Sequence, residues 1–310
     1  MQIGDACPAC GGTLLAWRSV PSAEPAVGPA RYELRRCREC GTAVTVGDAP
    51  AELHETGAYA PGAPRLARLA APILAAFDRH RLNLLDTPPP ARLLDAGAGR
   101  GRFVAGAQAA GYAARGIEPS QRGVSAARAL NAAVEQATID TADIPPASLD
   151  AVTLWHVLEH LDDPGAALAR IAAWLAPGGV LLVGVPNLAS LQARVGGDGW
   201  YHLDVPRHRV HFTAAGLDYL LRANHFTPVH THHQLAEHNP FGMWQSLVSR
   251  LTTRPSYLYN LLKRNAPARS PDLVITALAL PLAPIAVLVE LMAARAKRGG
   301  TIAVLAKRTP

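Results

Sequence analysis

Residues 92–103 read Arg-Leu-Leu-Asp-Ala-Gly-Ala-Gly-Arg-Gly-Arg-Phe, an apolar strand that runs into an acid and then into three alternating glycines. Gly97, Gly99 and Gly101 let the backbone turn sharply and approach a ligand at the mouth of a parallel sheet. Their spacing narrows the ligand. A dinucleotide loop of the form G-x-G-x-x-G needs glycine where Arg102 stands, and no lysine follows the last glycine to serve a Walker-type phosphate loop. With Asp95 leading, the D-x-G-x-G-x-G pattern suits a ligand that carries an ammonium group and lacks a pyrophosphate.

From about 91 to 233 short apolar runs alternate with longer helical stretches, which predicts βα units on a mainly parallel sheet. A second strand, Ala114 to Ile117, ends in Glu118-Pro119-Ser120, with Glu118 21 residues after Gly97. A carboxylate there can hold both ribose hydroxyls of an adenosine. Ala137-Thr138-Ile139 reads as a third strand ending at Asp140-Thr141, a polar pair able to meet an adenine edge. Leu149 to Leu154 is a fourth strand leading into Trp155-His156-Val157-Leu158-Glu159-His160-Leu161. A helix follows to Leu175, stopped by Pro177-Gly178-Gly179, and Val180 to Val185 is a fifth strand ending at Pro186-Asn187.

The series LLDAGAGRGRF, GIEPS, LDAVTLWHVLEHLDDP and LAPGGVLLVGVPN resembles class I S-adenosylmethionine-dependent methyltransferases, on the branch of the ubiquinone-pathway O-methyltransferases and of enzymes encoded beside glycosyltransferases. The resemblance covers about 91–233 and resumes at 299–308, where Gly300 to Lys307 looks like the family's last strand. It implies an α/β fold with a Rossmann-like, seven-stranded, mostly parallel sheet whose final strand pairs antiparallel. It implies S-adenosyl-L-methionine as cofactor, with Asp95 and Gly97 at the methionine end, Glu118 at the ribose, and Asp140 with the Thr141 backbone at the adenine. Ala98, Gly99 and Pro119 complete that set, and His156 lies where the family contacts the methionine portion again. Asp143 is close enough to Asp140 to take its place.

Methyl transfer needs an in-line acceptor and usually a base. The amide-methylating Asn-Pro-Pro-Tyr signature is absent from the fourth strand, which disfavours exocyclic amines of nucleic acid. The stretch Trp200 to Thr213 follows the fifth strand, where the family builds its acceptor lid, and eight of the twelve histidines fall within 202–238. His208, His211, His202 and His156 are the candidate bases, since histidine titrates near working pH; each also has the plainer reading of a polar packing residue. No paired carboxylates suggest a catalytic metal.

All four cysteines lie in the first 40 residues, as Cys7-Pro8-Ala9-Cys10 and Cys37-Arg38-Glu39-Cys40, each pair trailed by a glycine (Gly11, Gly41) and separated by 26 residues. Two C-x₂-C knuckles supply four soft ligands for a tetrahedral ion, with the glycine easing a tight turn. Cys7, Cys10, Cys37 and Cys40 are therefore expected to hold a structural zinc ion. The segment shows no basic-aromatic cluster of the kind that grips nucleic acid, and the net charge of +6 is spread along the chain.

The predicted organisation is a zinc ribbon over 1–50, a helical lead-in over 51–90 with Leu66, Leu69, Ile73, Leu74 and Phe77 at helix spacing, the methyltransferase core over 91–233, an apolar helical insertion over 234–299, and a last core strand over 300–310. Leu273 to Val289 is 17 residues without a charge, interrupted by Pro281 and Pro284 and flanked by Lys263, Arg264 and Arg269 on one side and Arg295, Lys297 and Arg298 on the other. If 301–307 returns to the sheet, a single crossing of a bilayer is ruled out. Two helices bent at the prolines are expected, with 273–292 either lying peripherally on a membrane or packing within the protein or on a second subunit as a homodimer. With no basic n-region and apolar run at the N-terminus and no disulfide framework, the chain is expected to be cytoplasmic, on the inner face of the membrane if it is membrane-associated. The function expected is methyl transfer to a small or lipid-linked acceptor, such as a sugar or polyprenyl intermediate. The alternatives are a non-catalytic module that binds S-adenosylmethionine or a related ligand, and an RNA methyltransferase using the ribbon.

Overall fold

The computed structural model describes residues 6–24, 27–48, 53, 67–263 and 270–309. The chain divides into two compact units: Met1–Pro64 with Pro186–Leu217 and His232–Ile302, and Arg65–Val185 with Asp218–Thr231 and Ala303–Pro310.

The first unit begins with strands β1 (Leu14–Pro21), β2 (Arg31–Cys37) and β3 (Ala43–Thr45). β1 pairs antiparallel with β2, and β2 antiparallel with β3. Two knuckles of the same form flank them. The Cys7 N–H donates to the Gly12 carbonyl and the Cys37 N–H to the Thr42 carbonyl, while Gly11 and Gly41 both take φ of +75°. The trailing glycines thus do what their position predicts, since other residues rarely adopt that conformation. The expectation of no basic-aromatic cluster here is overturned: Trp17 carries the guanidinium carbons of Arg18 and Arg36 at 4.0 and 5.0 Å from its ring centroid. Arg36 lies 19 positions from Trp17, and only the β1–β2 pairing brings them together.

In the second unit, α1 (Ala67–Leu84) precedes β4 (Arg92–Ala96), α2 (Arg102–Ala109), β5 (Ala113–Glu118), α3 (Gln121–Arg128), β6 (Val134–Gln136), β7 (Leu149–Trp155), α4 (Pro164–Trp174) and β8 (Leu175–Pro186). β9 (Val210–His211) pairs antiparallel with β3 and completes the four-stranded sheet of the first unit. α6 (Ala214–Ala223) follows α5 (Leu191–Gly196), and β10 (Phe226–His232) returns to the large sheet. Four helices, α7 (Asn239–Val248), α8 (Tyr257–Leu262), α9 (Ser270–Ala279) and α10 (Ala283–Arg295), lead to β11 (Thr301–Arg308).

The large sheet has the order β10-β11-β8-β7-β4-β5-β6. β4 pairs parallel with both β5 and β7, β5 with β6, and β7 with β8. Leu93, Leu94, Asp95 and Ala96 are all buried, as befits a central strand covered on both faces. Polar caps start the helices where the loops end: Ser120 accepts from the Gly123 N–H, and Asp163, followed by Pro164, accepts from the Ala166 N–H.

Three expectations change. The third strand is Val134–Gln136, and Ala137-Thr138-Ile139 lies beyond it; β-pairing with Gly116 to Glu118 selects the earlier residues. Pro177-Gly178-Gly179 falls inside the long strand β8 rather than ahead of it, because α4 already ends at Trp174. In α1, Ile73 is exposed at 59%, while the buried positions include Asp78 and Arg81. Arg102 pairs with Asp78 at 3.1 Å, so that acid is buried with a partner. Leu66, Arg264 and Arg269 lie outside the described residues.

Candidate active site

Strand order reverses between β4 and β7, from which the chain winds outward in both directions. Ligands of open α/β sheets bind beyond the carboxyl ends of strands at such a point. Asp95 is the last residue but one of β4, Glu118 ends β5, and His156 follows Trp155 at the end of β7, so the sequence-predicted cofactor residues Asp95, Gly97, Ala98, Gly99, Glu118 and His156 share one edge of one sheet.

Asp95 is buried at 3% exposure, and the Thr153 hydroxyl on the neighbouring strand donates to its Oδ1 at 2.5 Å. Burial pushes its carboxyl above the usual range, opposed by the Arg81 guanidinium, the Thr153 bond and Arg102. The turn after it is close-packed. The Gly97 and Ala98 N–H groups both donate to the Ile117 carbonyl, at 2.8 and 3.0 Å. Gly97 has φ of +83°, and a Cβ built there would lie 2.3 Å from Val157 Cγ2; only glycine satisfies both conditions.

Glu118 ties this turn to the next. Its Oε2 accepts from the Gly99 N–H and its Oε1 from the Ser120 N–H, each at 2.9 Å. A carboxylate offers about four lone-pair directions, so this bracing is compatible with accepting ribose hydroxyls. Pro119 is exposed beside it, its carbonyl accepting from Gln136 Nε2 at 3.2 Å. Asp140 is exposed and 3.4 Å from Arg170 Nε, in a turn closed by Thr138 and Thr141.

His156 has φ of +57°, a backbone conformation uncommon outside glycine and concentrated at functional sites. Its Nδ1 lies 2.9 Å from Glu159 Oε1, and Glu159 is 1% exposed. A carboxylate at Nδ1 selects the tautomer protonated there and leaves Nε2 as the basic atom. Glu159 was not singled out in the sequence; its spacing of three from His156 was the available signal. Arg81 carried no such signal, being one of three arginines, with Arg68 and Arg79, on an Ala-rich helix.

His208 and His211 belong to the other unit. His208 Nδ1 bonds the His202 carbonyl at 2.8 Å, and His211 Nε2 lies 2.9 Å from Thr45 Oγ1 on β3. Both are buried beside the short β3–β9 pairing. The same unit gathers the four cysteines. Cys7 and Cys40 sulfurs are 3.6 Å apart, Cys10 and Cys37 sulfurs 3.5 Å, and all four lie within 4.8 Å of one another. A tetrahedral zinc with bonds of about 2.3 Å has sulfur–sulfur edges near ~3.8 Å, so this donor set fits the ion.

Residues 66–231 match the methyltransferase domain family. The chain is 35% identical over 106 residues to a ubiquinone biosynthesis O-methyltransferase of Xanthomonas campestris, a match covering 32% of this chain and 44% of that protein. A protein of the same name from Rhodopseudomonas palustris is 33% identical over 102 residues, covering 31% and 40%. The chain thus spans less than half the length of these relatives. The YcgJ protein of Bacillus subtilis superposes with a TM-score of 0.50 at 15% identity, covering 76% of this chain and 99% of that one, which shows the shared fold. A sheet ordered about the β4–β7 reversal, an Asp-led glycine turn and a family match across more than half the chain agree: the chain belongs to the methyltransferase domain family of S-adenosylmethionine-dependent proteins.

Proposed function

We propose that the protein transfers a methyl group from S-adenosylmethionine to a small or lipid-linked acceptor hydroxyl, such as that of a sugar or polyprenyl intermediate. The observation that carries this reading is the meeting of Asp95, Glu118 and His156 at the reversal of the sheet. When bound, the cofactor supplies an electrophilic methyl on a sulfonium. Asp95 takes its ammonium group, the Gly97 to Gly99 turn admits the chain between them, and Glu118 receives the ribose hydroxyls. Asp140 and Thr141 stand toward the adenine. His156, with Nδ1 held by Glu159, takes the acceptor proton at Nε2. Oxygen as the accepting atom is supported by the names of the Xanthomonas and Rhodopseudomonas relatives.

In this reading Cys7, Cys10, Cys37 and Cys40 hold a structural zinc ion whose four positions are all filled by protein, which leaves it no catalytic role. Calorimetry with S-adenosylhomocysteine is the primary test. Binding that falls by roughly tenfold or more in Glu118→Gln supports the reading, since each lost charge-assisted hydroxyl contact is worth about 1.5–3 kcal/mol. Absence of binding by the wild-type protein would overturn it. The Trp17 cluster with Arg18 and Arg36 favours a second reading in which RNA is the acceptor; RNA affinity that falls steeply with salt would support that alternative.

A further inference from the structure

The helical segment Pro271–Arg295 is folded inside out. It contains two acids, and both point inward: Asp272 is 0% exposed and Glu290 2%. Asp272 accepts from the Thr253 N–H and hydroxyl at 2.8 and 2.7 Å, and Glu290 accepts from the Gly300 N–H at 2.8 Å. The rest of the fully buried inner face is small, with Thr276, Ala279, Ala286, Ala293 and Ala294, and Ile275 and Val289 pack half-buried against the same cluster. The large apolar side chains face out: Leu278 is 75% exposed, and Leu280, Leu282, Ile285, Leu288 and Met292 each more than half. A soluble helix does the reverse, presenting its apolar stripe to the core and its charges to water. A contiguous outward apolar face of this kind marks a surface that is covered in use.

We infer that this face lies in the headgroup–acyl boundary of an anionic bilayer, with the helix parallel to the membrane plane. The segment is 25 residues long and apolar enough to cross a membrane by length and composition. Its inner side, however, rests on α7, where Met243, Trp244 and Val248 form one cluster with Ala279 and Ala286 and the Trp244 indole N–H donates to the Ala279 carbonyl. With α7 against one flank and polar anchors at both ends, only sideways entry exposes the leucines to lipid without dragging Asp272 and Glu290 out of their bonds.

Charge selects the occupant. Thr253 holds the segment's N-terminal end, which places its neighbour Arg254 there, and Arg295 and Lys297 follow at the C-terminal end, with no acid among the described residues of the outward face between them. Anionic headgroups meet both ends favourably, each basic residue contributing about 1 kcal/mol near such a surface. A symmetric second copy would set basic end against basic end whether the two helices ran parallel or antiparallel.

Flotation with phosphatidylcholine vesicles, with and without phosphatidylglycerol, tests the inference, and its readout is independent of methyl transfer. The wild-type protein is expected to float with phosphatidylglycerol vesicles, to float less with phosphatidylcholine alone, and to lose roughly tenfold or more of its partitioning in Leu278→Glu with Ile285→Glu. Both positions are exposed, so cooperative melting should persist. If it does not, Arg295→Glu with Lys297→Glu gives a second arm, expected to abolish the preference for phosphatidylglycerol. Wild-type protein that stays below the vesicles overturns the inference, and a dimer in sedimentation velocity that Leu278→Glu dissociates would assign the face to a second copy. Equal flotation of wild type and variants, or equal flotation on both vesicle types, overturns it as well.

Discussion

The Arg81 guanidinium carbon lies 4.3 Å from the centre of the Trp155 ring and 4.5 Å from that of Phe103. A cation is thereby held among aromatic rings, an arrangement worth about 1–2 kcal/mol when desolvated. The indole is packed closely against its own sheet too, for a Cβ on Gly184 would lie 2.7 Å from it. Arg81 also offsets the burial that drives the Asp95 carboxyl upward. Replacing it should therefore leave Asp95 neutral over a wider pH range. Arg81→Met is expected to weaken S-adenosylhomocysteine binding about tenfold, with a loss that grows as pH falls, read by calorimetry across a pH series. A loss that is equal at every pH would mean that Arg81 acts through packing alone.

Gly97 carries two constraints that can be separated. In Gly97→Ala the new methyl meets Val157 Cγ2, and the positive φ costs a further ~1–2 kcal/mol. Adding Val157→Ala removes the overlap but not the backbone strain, so the double variant should recover part of the lost melting temperature while binding stays impaired. Full recovery of melting would show that φ is not limiting.

Burial pushes the Glu290 carboxyl from 4.5 up to about 7, with the Gly300 N–H and Gln192 pulling the other way. The folded chain therefore keeps a proton that the unfolded chain releases. The stability linked to that proton is fully present below about pH 4.5 and is lost as pH rises through about 7. Glu290→Gln should remove this slope, melting at similar temperatures at pH 5 and pH 8, whereas the wild type melts lower at pH 8. Thermal melts of both proteins across that range check the sign.

One zinc ion per chain is expected by elemental analysis, lost on Cys10→Ser and on dialysis against a chelator. Since metal binding by such a cluster is folding free energy, its removal should open the β1–β3 sheet to proteolysis while leaving S-adenosylhomocysteine binding measurable. Protein that carries no zinc as purified and binds none when it is added would refute the assignment.

Much of the site was legible because local geometry wrote it into the chain. The Asp95 loop, Glu118 at the next strand end and the two cysteine knuckles each depend on residues within a few positions of one another, where spacing dictates which side chains meet. The paired bond pattern at Cys7 and Cys37 follows directly from the repeated Cys-x₂-Cys-Gly. Strand ends were legible less well. β6 formed at Val134–Gln136 because its register with β5 decided the matter, and the apolar run at Ala137 to Ile139 carried no information about that partner.

By itself, the sequence determined the order of βα units, the class of ligand admitted by a glycine turn without a pyrophosphate cradle, and the bent apolar segment near the C-terminus. Only the tertiary structure decided which charges are buried and against what: Arg81 on Trp155, Glu159 behind His156, and Asp272 and Glu290 turned inward while leucines face out. The physical reason is that backbone turns and periodicity are short-range properties of neighbouring residues. The cost of burying a charge is set instead by whichever distant groups desolvate and neutralise it, and those are chosen when the chain packs.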